Sequence, residues 1–297
     1  VAAILNIILD YLFIFPFDWG MLGAALASAI GTTVGALMIV FYLIRPQCTL
    51  RFYPVKLSHN SMKLLGRNIG YMCRLGSSAF LCEIAIACMM FVGNQVFIHY
   101  LKEEGVAAFS IACYFFPIIF MVYNAIAQSA QPIISYNYGL QRTQRVRHTY
   151  LLALKTAIIC GTCFALVTIF CSSDIVAMFI DRSYPAYDIA VEGLPLYATG
   201  FVFFAANIVS IGYFQSVERA KYATVITLLR GFILLTACFY GLPLLIGNTG
   251  IWLATPLAEL LTTFFILIIY IYSKKKKKEN SLSLSHGNHD KEILQEV

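Results

Sequence analysis

The sequence predicts an all-α polytopic membrane protein, and three observations carry that expectation. Of the 297 residues, 60% are hydrophobic and only 12% are charged, about half the charged share of an average soluble protein. The charges are spaced so that apolar runs of roughly 20 residues, enough to cross a bilayer, lie between them. The connections between those runs alternate between basic and non-basic, as the positive-inside rule requires of a chain that crosses repeatedly.

Taken in order, residues 1–15 form an apolar partial span. Residues 21–44 are charge-free and end at Arg45. Residues 75–101 carry one carboxylate, Glu83. Residues 106–133 are apolar and contain Pro117 and Pro132. Residues 156–172 lie between Lys155 and Asp174, and 194–217 between Glu192 and Glu218. Residues 222–245 contain Arg230, and 251–273 contain Glu259. The expectation is one partial and seven complete helices.

Loop charge gives the orientation. Residues 45–74 hold Arg45, Arg51, Lys56, Lys63, Arg67 and Arg74 with no acid. Residues 141–155 hold Arg142, Arg145, Arg147 and Lys155, again with no acid. Arg219 and Lys221 follow Glu218, and Lys274 to Lys278 follow the last span. The alternate loops carry Lys102, Glu103 and Glu104, then Asp174, Asp181, Arg182, Asp188 and Glu192. The basic loops and the tail are therefore expected in the cytoplasm. The polar stretch 279–297 is expected to lack fixed structure.

The net charge of +6 is explained by this topology, so no nucleic-acid partner is expected. The nine cysteines are scattered, mostly through apolar runs. The stretch CGTC (160–163) lacks the βαβ context of a redox motif, and no His/Cys spacing points to a metal. The opening stretch VAAILNIILDYLFIF has no basic n-region, so it reads as a chain starting inside a span rather than as a signal peptide.

Sliding the sequence by 227 residues brings Pro16, Gly20, Gly23, Leu26, Ala27 and Ile39 onto Pro243, Gly247, Gly250, Leu253, Ala254 and Ile266. Each set marks a span, a short turn containing G-x-x-G, and a second span. Parallel repeats of this kind mark the halves of many transporters.

Several stretches together resemble one family. NIILDYLFIF (6–15), WGMLGAALASAIG (19–31), SSAFLCEIAIACMM (77–90), AQPIISYNYG (130–139) and GIWLATPLAELL (250–261) are similar to the multidrug and toxic compound extrusion (MATE) exporters, in particular their bacterial members. The resemblance implies twelve helices in two six-helix lobes. Residues 1–45 would end the first lobe, 46–74 would be a cytoplasmic inter-lobe linker, 75–273 would be the second lobe, and 274–297 a basic and polar cytoplasmic tail. Most of the first lobe would be missing, and such a chain is expected not to transport unaided. The implied activity is not enzymatic. It is secondary antiport at the plasma membrane, exporting amphipathic, cationic small molecules in exchange for H⁺ or Na⁺, with no cofactor beyond the coupling ion. The resemblance also implies a role for Glu83 in cation coupling or substrate binding. Some members carry an aspartate in the helix matching 194–217; here that span has no acid, and Asn207 and Ser210 are its polar candidates.

The residues themselves support a polar site. A carboxylate in hydrocarbon costs roughly 2.5–3.5 kcal/mol even on the gentlest insertion scales, so Glu83 needs a reason to be there. Asn94 follows it by eleven residues and returns to the same helical face, which suits an exchange site for a cation or proton. The competing reading is a protonated Glu83 hydrogen-bonded between helices. Asn124, Gln128, Gln131 and Ser135 repeat at i, i+4, i+7 and i+11 along one face. They are either a cavity wall or interhelical glue. Arg230 and Glu259 lie at similar depth and are expected either to pair or to give a second proton site. Two alternative functions have distinct signatures. A lipid-linked precursor flippase would show basic residues facing its cavity. A seven-helix receptor would lack the internal repeat.

Overall fold

The computed structural model describes residues 1–45 and 58–293. The chain divides into two compact units, Val1–Asn68 and Ile69–Val297.

The first unit contains a helical hairpin of α1 (Ala2–Ile14) and α2 (Gly20–Ile44). Small residues every fourth position, Gly23, Ala27, Gly31 and Gly35, let the helices approach. A Cβ on Gly31 would meet Asn6 Cβ at 3.1 Å, and one on Gly35 would meet Ala2 Cβ at 3.0 Å. Asn6 donates from Nδ2 to Ser28 Oγ at 3.3 Å across the pair.

The second unit is an all-helical bundle. The helical run α3 spans His59–Gly139, 81 residues, and belongs to this unit from Ile69 on. At 1.5 Å per residue that would be about 120 Å, four times the hydrocarbon thickness. The backbone resolves this at Lys102, whose φ of 56° and ψ of −151° break the helix into α3a (59–101) and α3b (103–139). Pro117 and Pro132 lie inside α3b without interrupting its helical dihedrals. Next come α4 (Thr143–Phe170), the short α5 (Ser172–Ala177), α6 (Pro185–Ala198) and α7 (Phe201–Ser216). α6 and α7 are bent by 47° at the short break between them. The chain continues through α8 (Ala220–Leu228), a π-helical turn (Leu229–Ile233), α9 (Leu234–Ile246) and α10 (Asn248–Ile293).

Five helices are individually long and apolar enough to cross a membrane, six with the bent pair counted as one span. Splitting α3 at Lys102 adds a seventh. With α1 as a shorter apolar helix, this matches the predicted one partial and seven complete spans. Two boundaries differ. Residues 59–74, read from charge as linker, are already helical. The helix α10 also continues to Ile293, through the lysine run and into the stretch expected to be unstructured. Extending an existing helix needs no new nucleus, so polar composition alone does not stop it. Residues 46–57, inside the predicted linker, and 294–297 of the tail lie outside the described residues.

Packing follows membrane rules. On α4, Ala153, Ala157, Gly161 and Ala165 form a buried strip at four-residue spacing. A Cβ on Gly161 would meet Phe201 O at 3.1 Å and Val202 Cα at 3.2 Å, so this glycine admits the α7 backbone. Larger rings fill the centre: Phe116 stacks on Phe204 at 4.6 Å, and Tyr123 meets Phe204 edge-on at 5.4 Å. In the loop before α6, the Ser183 N–H and hydroxyl both bond Asp181 and hold its carboxyl below the usual range.

The internal repeat has a common local geometry. Gly20, where α2 begins, and Gly247, between α9 and α10, both have positive φ, 52° and 65°, in the region glycine tolerates best. Three residues on, a Cβ on Gly23 would meet Phe13 Cβ at 2.9 Å, and one on Gly250 would meet Leu242 O at 2.6 Å. In each G-x-x-G the first glycine turns the chain, and the second allows close return packing.

Candidate functional site

The second unit holds a cavity of about 650 Å³ between α3a, α3b and α7. Its polar wall comes from α3b. Asn124, Gln128, Gln131 and Ser135 all line it, as does Glu83 of α3a. Phe80, Phe120, Ile208 and Ile211 supply apolar surface. Glu83 is the one charged residue in this lining. Among the described residues it has no ion-pair partner. Asn94, placed with Glu83 by helical phase, is exposed on α3a and is not part of the lining.

Two of the lining side chains, Gln131 and Gln215, take part in a hydrogen-bonded relay. Gln131 donates from Nε2 to Gln215 Oε1 at 2.9 Å, and Gln215 donates from Nε2 to Ser78 Oγ at 2.8 Å. Ser135 donates to Ser216 O at 3.3 Å. Gln215 and Ser78 escaped the sequence reading. Gln215 does follow Ile208 and Ile211 at helical spacing, but three or four polar residues on one helix make a visible stripe and a single glutamine does not.

A second polar cluster lies buried nearby. Arg230 and Glu259 are both 4% exposed, and Arg230 Nε lies 2.7 Å from Glu259 Oε1. Asn207, fully buried on α7, donates from Nδ2 to Glu259 Oε2 at 2.7 Å and to Glu259 O at 2.9 Å. Asn207 Oδ1 in turn accepts from the Thr263 hydroxyl at 3.0 Å. Both carboxylate oxygens therefore meet donors, which compensates part of the desolvation of the charge. The Arg230 guanidinium carbon lies 4.5 Å from the centroid of the Phe204 ring. The π-helical turn gives the local reason: an extra residue in the turn re-aims its side chains, and such turns recur at functional sites. Gly231 beside it packs directly against Ala85 of α3a. A void of about 10 Å³, lined in part by Arg230, Thr255 and Glu259, adjoins the cluster.

The structure thus separates residues that the sequence reading grouped. Asn207, proposed from sequence as a companion of Glu83, bonds Glu259 instead, and it is absent from the cavity lining. The cause is helical phase: α7 turns Ile208, Ile211, Gly212 and Gln215 to the cavity, and Asn207 to α10. Ser210 bonds the Tyr150 hydroxyl at 3.0 Å. Replacing Asn207 by leucine should lower stability by about 1–3 kcal/mol, the usual loss when a buried acceptor is left without its donor. Thermal unfolding in detergent would read this, and an unchanged midpoint would show that the amide contributes nothing.

A polytopic helical bundle with one cavity-facing carboxylate and a separate, neutralised charge pair has the build of a membrane transporter. Residues 79–240 match the MatE family, and the chain belongs to it. It is similar to the multidrug export protein MepA of Staphylococcus aureus (strain bovine RF122 / ET3-1), 24% identical over 262 residues, covering 86% of this chain and 54% of that protein. The Staphylococcus saprophyticus protein of the same name is 23% identical, covering 87% of this chain and 55% of its own length. The chain spans about half the length of these curated relatives. Among solved structures, a multidrug resistance MATE family transporter in an outward-facing conformation superimposes with a TM-score of 0.81 at 19% identity, over 93% of this chain and 61% of that one. A MOP superfamily transporter from Pyrococcus furiosus gives 0.79 at 20% identity, over 90% and 59%. These likenesses establish a multi-pass membrane protein with the MATE fold and no enzymatic role.

Proposed function

We propose that this chain forms the second lobe of a secondary antiporter, with the end of the first, that exports amphipathic cationic drugs or toxins in exchange for H⁺ or Na⁺. The observation that carries the reading is the cavity: Glu83 is its lone charge, set among amide and aromatic side chains. Its volume of about 650 Å³ falls in the usual range for drug-sized ligands. A cation entering it would neutralise Glu83, while Phe80 and Phe120 would meet flat apolar groups. Competition between substrate and coupling ion for one carboxylate links their fluxes, provided the two states of the transporter differ in affinity. The lipid-precursor flippase reading fits less well, because among the described residues the lining contains no Lys or Arg. The alternating loop charges favour basic loops and tail in the cytoplasm of a plasma-membrane protein. Residues 1–45, 46–74, 75–273 and 274–297 then act as lobe end, linker, second lobe and tail.

The test is ethidium efflux from cells expressing the intact gene, with both lobes, wild type beside Glu83→Gln, at two external pH values with and without sodium. Efflux is expected to collapse in correctly inserted Glu83→Gln protein, with the pH or sodium response identifying the ion. Undiminished efflux would overturn the assignment of Glu83.

A further inference from the structure

We infer that the cavity selects cations bearing N–H donors, primary ammonium or guanidinium groups, over permanently quaternary ones, and that Gln215 sets this preference through Gln131. The inference rests on the drug-cavity reading above and adds a chemical class to it.

The argument runs along the relay from α3a to α3b. The Ser78 hydroxyl donates within its own helix to Leu75 O at 3.4 Å, a common use of a helical serine. Ser78 Oγ is thereby left to accept, and it accepts Gln215 Nε2 at 2.8 Å. An amide that turns its nitrogen to Ser78 turns its oxygen the other way. Gln215 Oε1 meets Gln131 Nε2 at 2.9 Å. The same logic then orients Gln131: one of its two amide N–H donors is committed to α7, where Gly212 leaves room for the nitrogen. A Cβ on Gly212 would lie 3.3 Å from Gln131 Nε2. The amide end of Gln131 not used by α7 is the carbonyl oxygen, an acceptor on a residue that lines the cavity.

The relay therefore has a polarity. It starts at a backbone carbonyl, passes two amides in one direction, and ends on the carbonyl oxygen of Gln131, a residue that lines the same cavity as Glu83. A carboxylate and an amide carbonyl can only accept hydrogen bonds. A ligand N–H satisfies such an oxygen, whereas a trimethylammonium head covers it without a donor and leaves it desolvated and unpaired. Aromatic walls alone would favour the opposite choice, because quaternary heads suit cation–π cages.

The test is calorimetric titration of the full chain in detergent near neutral pH with two matched probes, biphenylmethylammonium and its N,N,N-trimethyl analogue. Wild type is expected to bind the primary ammonium about tenfold tighter, the value of one hydrogen bond to a charged group. Gln215→Leu frees the Gln131 amide to turn, and the ratio should fall towards one while the trimethyl probe still binds. Gln131→Met removes the acceptor at similar volume and gives the same result, so it decides the matter if Gln215→Leu unfolds. Equal wild-type affinities, or an undiminished preference in both variants, would overturn the inference while leaving the drug-cavity reading intact, provided binding still requires Glu83. Absence of binding to either probe in wild type, or binding indifferent to Glu83→Gln, would instead sink the drug-cavity reading and this inference with it.

Discussion

Replacing Arg230 by methionine should lower the stability of the folded chain by about 3–5 kcal/mol, the usual result of removing one partner of a buried ion pair. The charge left behind is Glu259, 4% exposed. Only Asn207 Nδ2 would still donate to its carboxylate, at Oε2. The Phe204 ring would also lose the guanidinium that lies 4.5 Å from its centroid. The prediction separates the pair from its parts. Adding Glu259→Met to Arg230→Met should restore most of the loss, because replacing both charges by apolar groups of similar size is often neutral or better. Denaturant or thermal unfolding of the four proteins in one detergent would measure the coupling. Additive losses in the double variant would show that the two charges stabilise the fold independently.

This prediction also bears on the division of labour along α7. Ile208, Ile211, Gly212 and Gln215 face the cavity, whereas Asn207 is tied to Glu259 and Thr263 of α10. The buried pair joins α10 to the π-helical turn, and Asn207 joins both to α7. A neutralised cluster behind the cavity wall can hold that wall in register without adding charge to the cavity. Among the described residues, Glu83 then stands as the one charge in the cavity lining.

Which parts of this were legible in the sequence follows from the range over which each signal acts. The spans were legible because each is a local run with its own charged ends. The α3b stripe was legible because Asn124, Gln128, Gln131 and Ser135 repeat on one helix; which of them would also tie helices together, as Gln131 and Ser135 do with α7, was not. That Arg230 and Glu259 were free to pair was legible from their places within their spans, but their 2.7 Å approach needed the fold. Asn207 was misplaced because an isolated polar residue marks a face and not the neighbour that face meets. The Gln131–Gln215 bond joins residues 84 positions apart, and no local period encodes it. The bend between α6 and α7 and the π-helical turn at Leu229–Ile233 are set by tertiary packing, so propensity did not announce them. Lys102 breaks the helix in a left-handed conformation at a place where loop charge alone had marked a turn.

A single methyl group on α6 should have the next largest effect on stability. In Gly193→Ala the new Cβ would fall within the indole ring of Trp252, so one of the two must move. Trp252 has little room to do so. It is 4% exposed and packs edge-on against Phe97 at 4.9 Å, while Phe97 stacks on Phe109 at 4.4 Å. Overpacking of this kind typically costs about 1–3 kcal/mol. Gly241→Ala is the matched control, since a Cβ there meets nothing within 4 Å, and alanine in a helix interior is favoured over glycine by roughly 0.5–1 kcal/mol. The unfolding midpoint should therefore fall for Gly193→Ala and hold or rise for Gly241→Ala. Adding Trp252→Leu to Gly193→Ala should recover part of the loss if the clash with the indole is its cause. A midpoint for Gly193→Ala at or above wild type would show that the ring gives way freely. Gly193 would then be a mere helix spacer, and the close seat of α6 on α10 would owe nothing to the missing side chain.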